Sequence, residues 1–420
     1  MPRSPLMRWV TGASLAAVAV GSAGLVEQTL DTREVVVYFD DAQVSPDQLQ
    51  AELLAEFGVV RVKRVFERRL VTGDARKLSA MVAVMKSERR NMSAAEWATW
   101  KQQIEKNVGV TGAERHQKRA LVGAPRGTDW PQLNAVQADI ASQEAMTDVL
   151  AGQASSKATG AGIKVAVLDG GFDTSHEAVS PAILGGYDAI DDDNDVDDLG
   201  NGIDDDNDGL TDLNVGHGTF VASLIHAVAP DAKILPIRVL DDEGHGTNLA
   251  LWLGISKAVS EGADVINMSL VADTMPQGLM DAIDDATDAD ITMVISAGND
   301  PAGPLNDGYM ANHAVVVGGV DNNGALLSWS PTGGTVDVYA PAEGILGAIG
   351  GAGPDANSYA TWDGTSFAAA FVSAGAALAK ELDSSLTSAQ MEAHLKGCVS
   401  PMTGANPPAE GIIDLAAVSN

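Results

Sequence analysis

Residues 163–171 read Ile-Lys-Val-Ala-Val-Leu-Asp-Gly-Gly: an apolar run that ends on an aspartate and two glycines. Similar runs follow at Ile234–Leu240, Val265–Leu270, Ile291–Ala297 and Ala314–Val317. Helix-like stretches lie between them, at Thr219–Ala227, Asn248–Ser260 and Gln277–Thr287. Near-continuous apolar strands alternating with helices predict an α/β domain whose central, mainly parallel sheet is covered on both faces. In such sheets the site lies beyond the carboxyl ends of the strands. The residues that follow each run are therefore the candidates for chemistry.

Working outward, the first run ends in Asp169-Gly170-Gly171, which alone reads as a turn. Gly216-His217-Gly218-Thr219-Phe220-Val221-Ala222 comes next, and its glycines let the backbone approach closely at a helix start. The run at 291–297 leads to Gly298-Asn299-Asp300, an amide at a strand end. Gly364-Thr365-Ser366-Phe367-Ala368 opens a helix of tiny residues, Ala368 to Ala379. A helix so poor in polar groups must be buried, and its start holds Ser366 at the positive end of the helix dipole.

The order Asp169, His217, Asn299, Ser366, with these flanks, resembles the subtilisin-like serine proteases. Val165–Asp169, Asp264–Leu270, Val336–Pro341 and Gly411–Asp414 resemble the family as well, so the likeness covers 130–419. It implies a subtilisin-like three-layer domain and acyl transfer to protein or peptide substrates. Ser366 would be the nucleophile, His217 the general base and acid, and Asp169 its orienting partner. Asn299 and the Ser366 N–H would hold the oxyanion. Ser269, Leu270 and Val271 would form one wall of the pocket for the residue before the cut, and Ala297, Gly298 and Asn299 the other.

Several residues depart from the family pattern. Gly170 stands where the family has Thr or Ser, which removes a hydroxyl that could support Asp169. Val271 replaces a Gly and should narrow the pocket towards small or medium apolar residues. Met310 and Ala370 replace prolines, and Phe371 replaces a His. These changes keep open a second reading, a weak or inactive homologue that binds peptides or a partner. A lipase or esterase does not fit, because Gly364-x-Ser366-x-Ala368 lacks the second glycine of that nucleophile turn.

Charge divides the chain. Residues 1–126 carry 19 Lys and Arg against 14 Asp and Glu, while residues 127–420 carry 7 against 43. A formal charge of −31 argues against nucleic acid as a partner. Twelve aspartates lie within 188–212. There, Asp204-x-Asp206-x-Asp208-Gly209-x-x-Asp212 has the spacing of a calcium loop, although Val215 stands where an EF-hand loop has Glu. Asp193, Asp195 and Asp197 are candidates for an adjoining calcium site. An acidic solvated surface is the bland alternative, and a calcium-dependent adhesion module would leave the ordered triad motifs unexplained.

The N-terminus reads as a signal peptide over 1–24: Arg3 and Arg8, an apolar run, then Gly21-Ser22-Ala23-Gly24. Secretion follows from that reading, and an uncleaved membrane anchor is the alternative for a run of this length. Residues 31–110 read as a small α+β unit resembling an inhibitory propeptide, a partner within the same chain that would act as inhibitor or chaperone. Its basic residues Arg61, Lys63, Arg64, Arg68 and Arg69 are either a solvated face or a docking face for the acidic unit. Residues 111–129 read as a linker, with Lys118-Arg119 and Arg126 as candidate processing points, and 130–420 as a catalytic domain with the insertion 188–212. Cys398, the single cysteine, excludes an intramolecular disulfide and reads as a free thiol. The histidines at 176, 226, 245, 313 and 394 lack metal-ligand spacing, and a monomer is expected.

Overall fold

The computed structural model describes residues 34–40, 45–56, 59–67, 78–85, 94–106, 110–115, 119–120, 135–204, 211–272, 274–301, 308–350, 357–404 and 407–420. The signal-like segment, Arg68, Arg69, Lys118, Arg126, Asp206 and Asp208 lie outside them.

The N-terminal unit runs β1 (Glu34–Asp40), α1 (Pro46–Glu56), β2 (Val59–Glu67), β3 (Leu78–Met85), α2 (Ala94–Glu105) and β4 (Val110–Arg115). Its sheet has the order β2-β3-β1-β4, and the pairings of β1 are antiparallel. Ser45 caps α1 as its sequence implies, its Oγ accepting from Gln48 N at 3.2 Å. Alternation along β1 divides its side chains between two faces. Val35, Val37 and Phe39 pack on Leu49, Leu53, Trp100 and Ile104 of the unit's own helices. Val36 and Tyr38 point the other way, into the core of the larger unit. Strand β4 crosses into the stretch read as linker. Its pattern, VTGAER, does not alternate, and pairing with β1 supplies what periodicity does not.

The chain then continues through β5 (Arg119–Ala120), α3 (Gln137–Ser142), α4 (Glu144–Asp148) and α5 (Ala151–Ala154). The larger unit follows as β6 (Lys164–Asp169), β7 (Tyr187–Asp188), α6 (His217–Val228), β8 (Lys233–Arg238), β9 (His245–Gly246), α7 (Asn248–Ser260), β10 (Val265–Met268), α8 (Gln277–Asp288) and β11 (Thr292–Ser296). It ends with α9 (Gly308–Ala311), β12 (Val315–Val320), β13 (Val338–Pro341), β14 (Ile345–Ala348), β15 (Tyr359–Trp362), α10 (Thr365–Leu382), α11 (Ser388–Gly397), β16 (Val399–Ser400), β17 (Ile412–Ile413) and α12 (Leu415–Val418).

Among the described residues the main sheet has nine strands in the order β16-β17-β13-β12-β11-β10-β6-β8-β7. All its pairings are parallel except β16 with β17. Its strands sort their side chains onto two cores. Val165, Val167, Val265, Val294 and Val317 meet α6 and α10 on one face. Ala166, Leu168, Ile266, Met268 and Ile295 meet α7 and α8 on the other. This is the three-layer α/β architecture, with β6, β10 and β11 at its centre.

The smaller unit sits on α7 and α8. The Tyr38 ring meets Trp252 edge-on, with centroids 5.9 Å apart. It also covers Gly278, where a Cβ would stand 2.3 Å from Tyr38 Cδ1. The described contact thus has an apolar part carried by β1, and β4 also lies against α8. Strand β5 pairs antiparallel with β9, Arg119 opposite Gly246 and Ala120 opposite His245.

Candidate active site

Asp169 is the last residue of β6 and is fully buried. Its Oδ1 accepts from His217 Nδ1 and from Gly170 N, each at 2.7 Å. His217 is the first residue of α6. The residue before it, Gly216, has φ 92°, a left-handed conformation suited to glycine. Gly218 lets the helix touch the loop after β6, since a Cβ there would stand 2.5 Å from Gly171 O. The buried Asp198, in the acidic insertion, accepts from Gly216 N at 2.5 Å. Burial pushes its carboxyl up to about 7, with the Gly216 N–H opposing the shift.

Ser366 lies in the first turn of α10. Its Oγ donates to Ser269 O at 3.2 Å rather than to His217, while Ser269 Oγ donates to Ser366 O at 2.8 Å. Asn267 braces this pair: it donates to Ser269 Oγ at 3.0 Å and accepts from Ser373 Oγ at 2.8 Å. The His217 ring lies 5.7 Å from that of Phe367, which meets Phe220 at 4.3 Å. Ser366 is therefore held on rigid elements with its hydroxyl turned away from the imidazole, a geometry that rotation about one side-chain bond changes.

Asn299 follows β11. Its Oδ1 accepts from Thr365 N at 2.9 Å and from Thr365 Oγ1 at 3.0 Å. This locks the orientation of the carboxamide. The Nδ2 stands 3.6 Å from the point a Cβ on Gly364 would occupy, on the side where α10 begins. Ser269, Leu270 and Val271 follow β10, and Ala297 and Gly298 follow β11, so neighbouring parallel strands bring the two expected walls side by side. Val271 Cγ2 lies 3.2 Å from the point a Cβ on Gly298 would occupy, so Val271 reaches across to the facing wall.

The other departures sit in packed surroundings. Met310, Ala370 and Phe371 are all fully buried, and α10 runs unbroken through Ala370. The missing hydroxyl at residue 170 has a structural counterpart. The Asn214 carboxamide fills that space, its Nδ2 standing 2.1 Å from where a Cβ on Gly170 would be. Asn214 carries no motif of its own, and only the empty position at 170 could have hinted at it.

Among the described residues the acidic side chains of the insertion do not converge on one point. Asp193 Oδ1 accepts from Asp195 N at 2.9 Å and Asp195 Oδ1 from Asp197 N at 3.2 Å, so these aspartates cap their own turn. Asp212 accepts from Asn201 N at 2.9 Å and from Gly202 N at 3.0 Å. Among the described residues no three His, Cys, Asp or Glu side chains converge as a metal ion would need. Asp204 and Asp212 are described, whereas their partners Asp206 and Asp208 are not. Cys398 is half-buried, and burial raises its thiol pKa, as befits a structural thiol.

Residues 160–404 match the model of the subtilase family, and the chain belongs to this family of serine-type endopeptidases. It is 30% identical over 270 residues, 62% of its own length, to the alkaline protease of Alkalihalobacillus alcalophilus and to subtilisin Savinase of Lederbergia lenta. It spans 65% of the former and 92% of the latter. Among solved structures, a protease of Pseudoalteromonas arctica is similar at 29% identity and a TM-score of 0.56, covering 64% of this chain and 93% of that one.

Proposed function

We propose that the chain is a secreted serine endopeptidase acting through Asp169, His217 and Ser366. It would be made with its own N-terminal inhibitor and be stabilised by calcium. The observation that carries the catalytic reading is the buried Asp169–His217 pair at 2.7 Å, set at adjoining strand and helix ends. The carboxylate holds the imidazole with Nδ1 protonated, which leaves Nε2 to take the Ser366 proton. Rotation of Ser366 off Ser269 O frees Oγ to attack the scissile carbonyl. The oxyanion then falls to the Ser366 N–H, at the start of α10, and to Asn299 Nδ2. Thr365 holds the far end of that carboxamide, so the donor needs little reorganisation. His217 next passes its proton to the leaving amine, and water repeats the sequence on the acyl-enzyme.

The inhibitory role of the N-terminal unit is supported by two contacts. Val36 and Tyr38 of the unit join the core around α7 and α8, and in the stretch read as linker β5 lies along β9 as an extended peptide would. Secretion rests on the composition of residues 1–24. No helix among the described residues is long and apolar enough to cross a membrane. For calcium the support is the donor set: carboxylate oxygens suit a hard cation, and Asp212 and Asn201 meet Asp242 at the end of the acidic insertion. The ion would brace the loop before α6 and take no part in the reaction.

Labelling by a fluorophosphonate tests the catalytic reading. The purified protein should label and cleave casein, and Ser366→Ala should do neither. A folded wild-type protein that still does not label once its N-terminal unit is removed would overturn the catalytic reading in favour of a weak or inactive homologue.

A further inference from the structure

The Asp169 carboxylate is engaged on one side. Its Oδ1 has two donors, whereas its Oδ2 is buried and has no hydrogen-bond partner. A buried carboxylate oxygen left unpaired is costly, and the cost grows when its imidazole partner must be held in place through proton transfer. The adjoining residue offers no side chain, because it is Gly170.

The volume of that missing side chain belongs to Asn214. A Cβ on residue 170 would stand 2.1 Å from Asn214 Nδ2 and 3.3 Å from Asn214 Cγ. The next atom it would meet is the Asn214 backbone oxygen at 3.8 Å. Residues 170 and 214 therefore share one space, and a side chain on residue 170 would have to displace the Asn214 carboxamide. The Asn214 backbone is fixed to the site, for its O accepts from His217 N at 3.0 Å and its N donates to Asp242 O at 2.8 Å. Its carboxamide is held loosely. Nδ2 donates to Asp241 O at 3.3 Å, and Oδ1 is buried without a partner. This lightly held donor occupies the side-chain space of residue 170, next in the chain to the carboxylate with the unpaired oxygen, and little holds it from turning.

We propose that Asn214 is a positioning residue for Asp169: its Nδ2 supplies, from the approach to α6, the donor that residue 170 lacks. The inference rests on the triad reading. As His217 gains its proton, Asn214 Nδ2 turns from Asp241 O to Asp169 Oδ2 and holds the carboxylate against the imidazolium. Asn214 touches no substrate and acts only through Asp169.

The test uses the full-length protein and four variants: Asn214→Leu, Asn214→Ala, Gly170→Ser and Gly170→Ser/Asn214→Ala. Wild-type labelling by the fluorophosphonate comes first, after the expressed full-length chain has lost its N-terminal unit by processing or added protease; a folded larger unit that then fails to label overturns the triad reading and this inference with it. Asn214→Leu keeps the volume and removes the donor. It should lower kcat by about 10–100-fold, the scale of a small misplacement of a catalytic group, with KM changed less than about twofold. Gly170→Ser alone should lower Tm, because its side chain meets the Asn214 carboxamide. The double variant should recover that Tm and regain most of the kcat that Asn214→Ala loses, its new hydroxyl standing where the amide stood. The Tm comparison reads the shared space independently of activity. An unchanged kcat in Asn214→Leu overturns the proposal, and so does a double variant no more active than Asn214→Ala.

Discussion

Val271 brings the two walls of the candidate specificity pocket together, because its Cγ2 reaches the space over Gly298. A glycine at 271 would leave that space open. The natural preference should thus be for Ala or Val before the cut, and Val271→Gly should shift it towards Phe. The ratio of kcat/KM for Phe against Ala peptides should rise by about 10–200-fold, the range that a methylene or two is worth in an apolar pocket. An unchanged ratio across a peptide series would show that the pocket is closed elsewhere. Asp169, His217, Asn299 and Ser366 are legible in the sequence because each sits in a short motif at the end of an apolar run. Asn214 is not, because what defines it is a contact with a residue 44 positions away in the chain.

Among the elements, α10 shows how composition follows from position. It lies between the sheet and α6, and residues from Thr365 to Lys380 are buried, which leaves room for little beyond Ala, Ser and Gly along much of its length. Its far end is tied down by Glu381, whose Oε2 accepts from the backbone N–H groups of Thr159, Gly160 and Ala161 at 2.7, 2.6 and 3.1 Å. These donors belong to the approach to β6, so one carboxylate links the end of the serine helix to the strand that delivers Asp169. Glu381→Ala should lower unfolding stability by about 2 kcal/mol, as expected for losing charge-assisted bonds to three backbone donors. Urea melts in a Ser366→Ala background, which prevents self-digestion, would measure it. The strands and helices of the larger unit are legible because both faces of each central strand are apolar. Strands β3 and β4 are harder to read, since antiparallel partners far along the chain decide their pairing.

On the scale of the whole molecule, the formal charge of −31 joins a mildly basic N-terminal part to a strongly acidic remainder. The described contact between the two units nevertheless includes an apolar patch of Val36, Tyr38 and Trp252. Charge can steer the two together over distance, while burial of Tyr38 holds them. Dense carboxylates in the insertion repel one another unless a cation intervenes. Burial pushes the Asp242 carboxyl up, the Asn201 N–H opposes the shift, and the charges of Asp241 and Asp212 add to it. Under the calcium reading, EDTA should lower Tm by several degrees, and added calcium, though not magnesium at the same concentration, should restore it. A melting curve indifferent to EDTA would leave the insertion as a solvated acidic surface.

The sequence by itself determined the α/β class, the central strands and the helices between them in the larger unit, and the four candidate reacting side chains. Those features are written in local periodicity and in short motifs at strand ends. Only the tertiary structure decided that Val271 reaches across the pocket, that Asn214 fills the space Gly170 leaves, that Glu381 clamps the approach to β6, and that β1 turns Tyr38 onto Gly278. Each of these is a contact between residues distant in the chain, and close packing rather than local pattern determines which distant side chain fills a given volume.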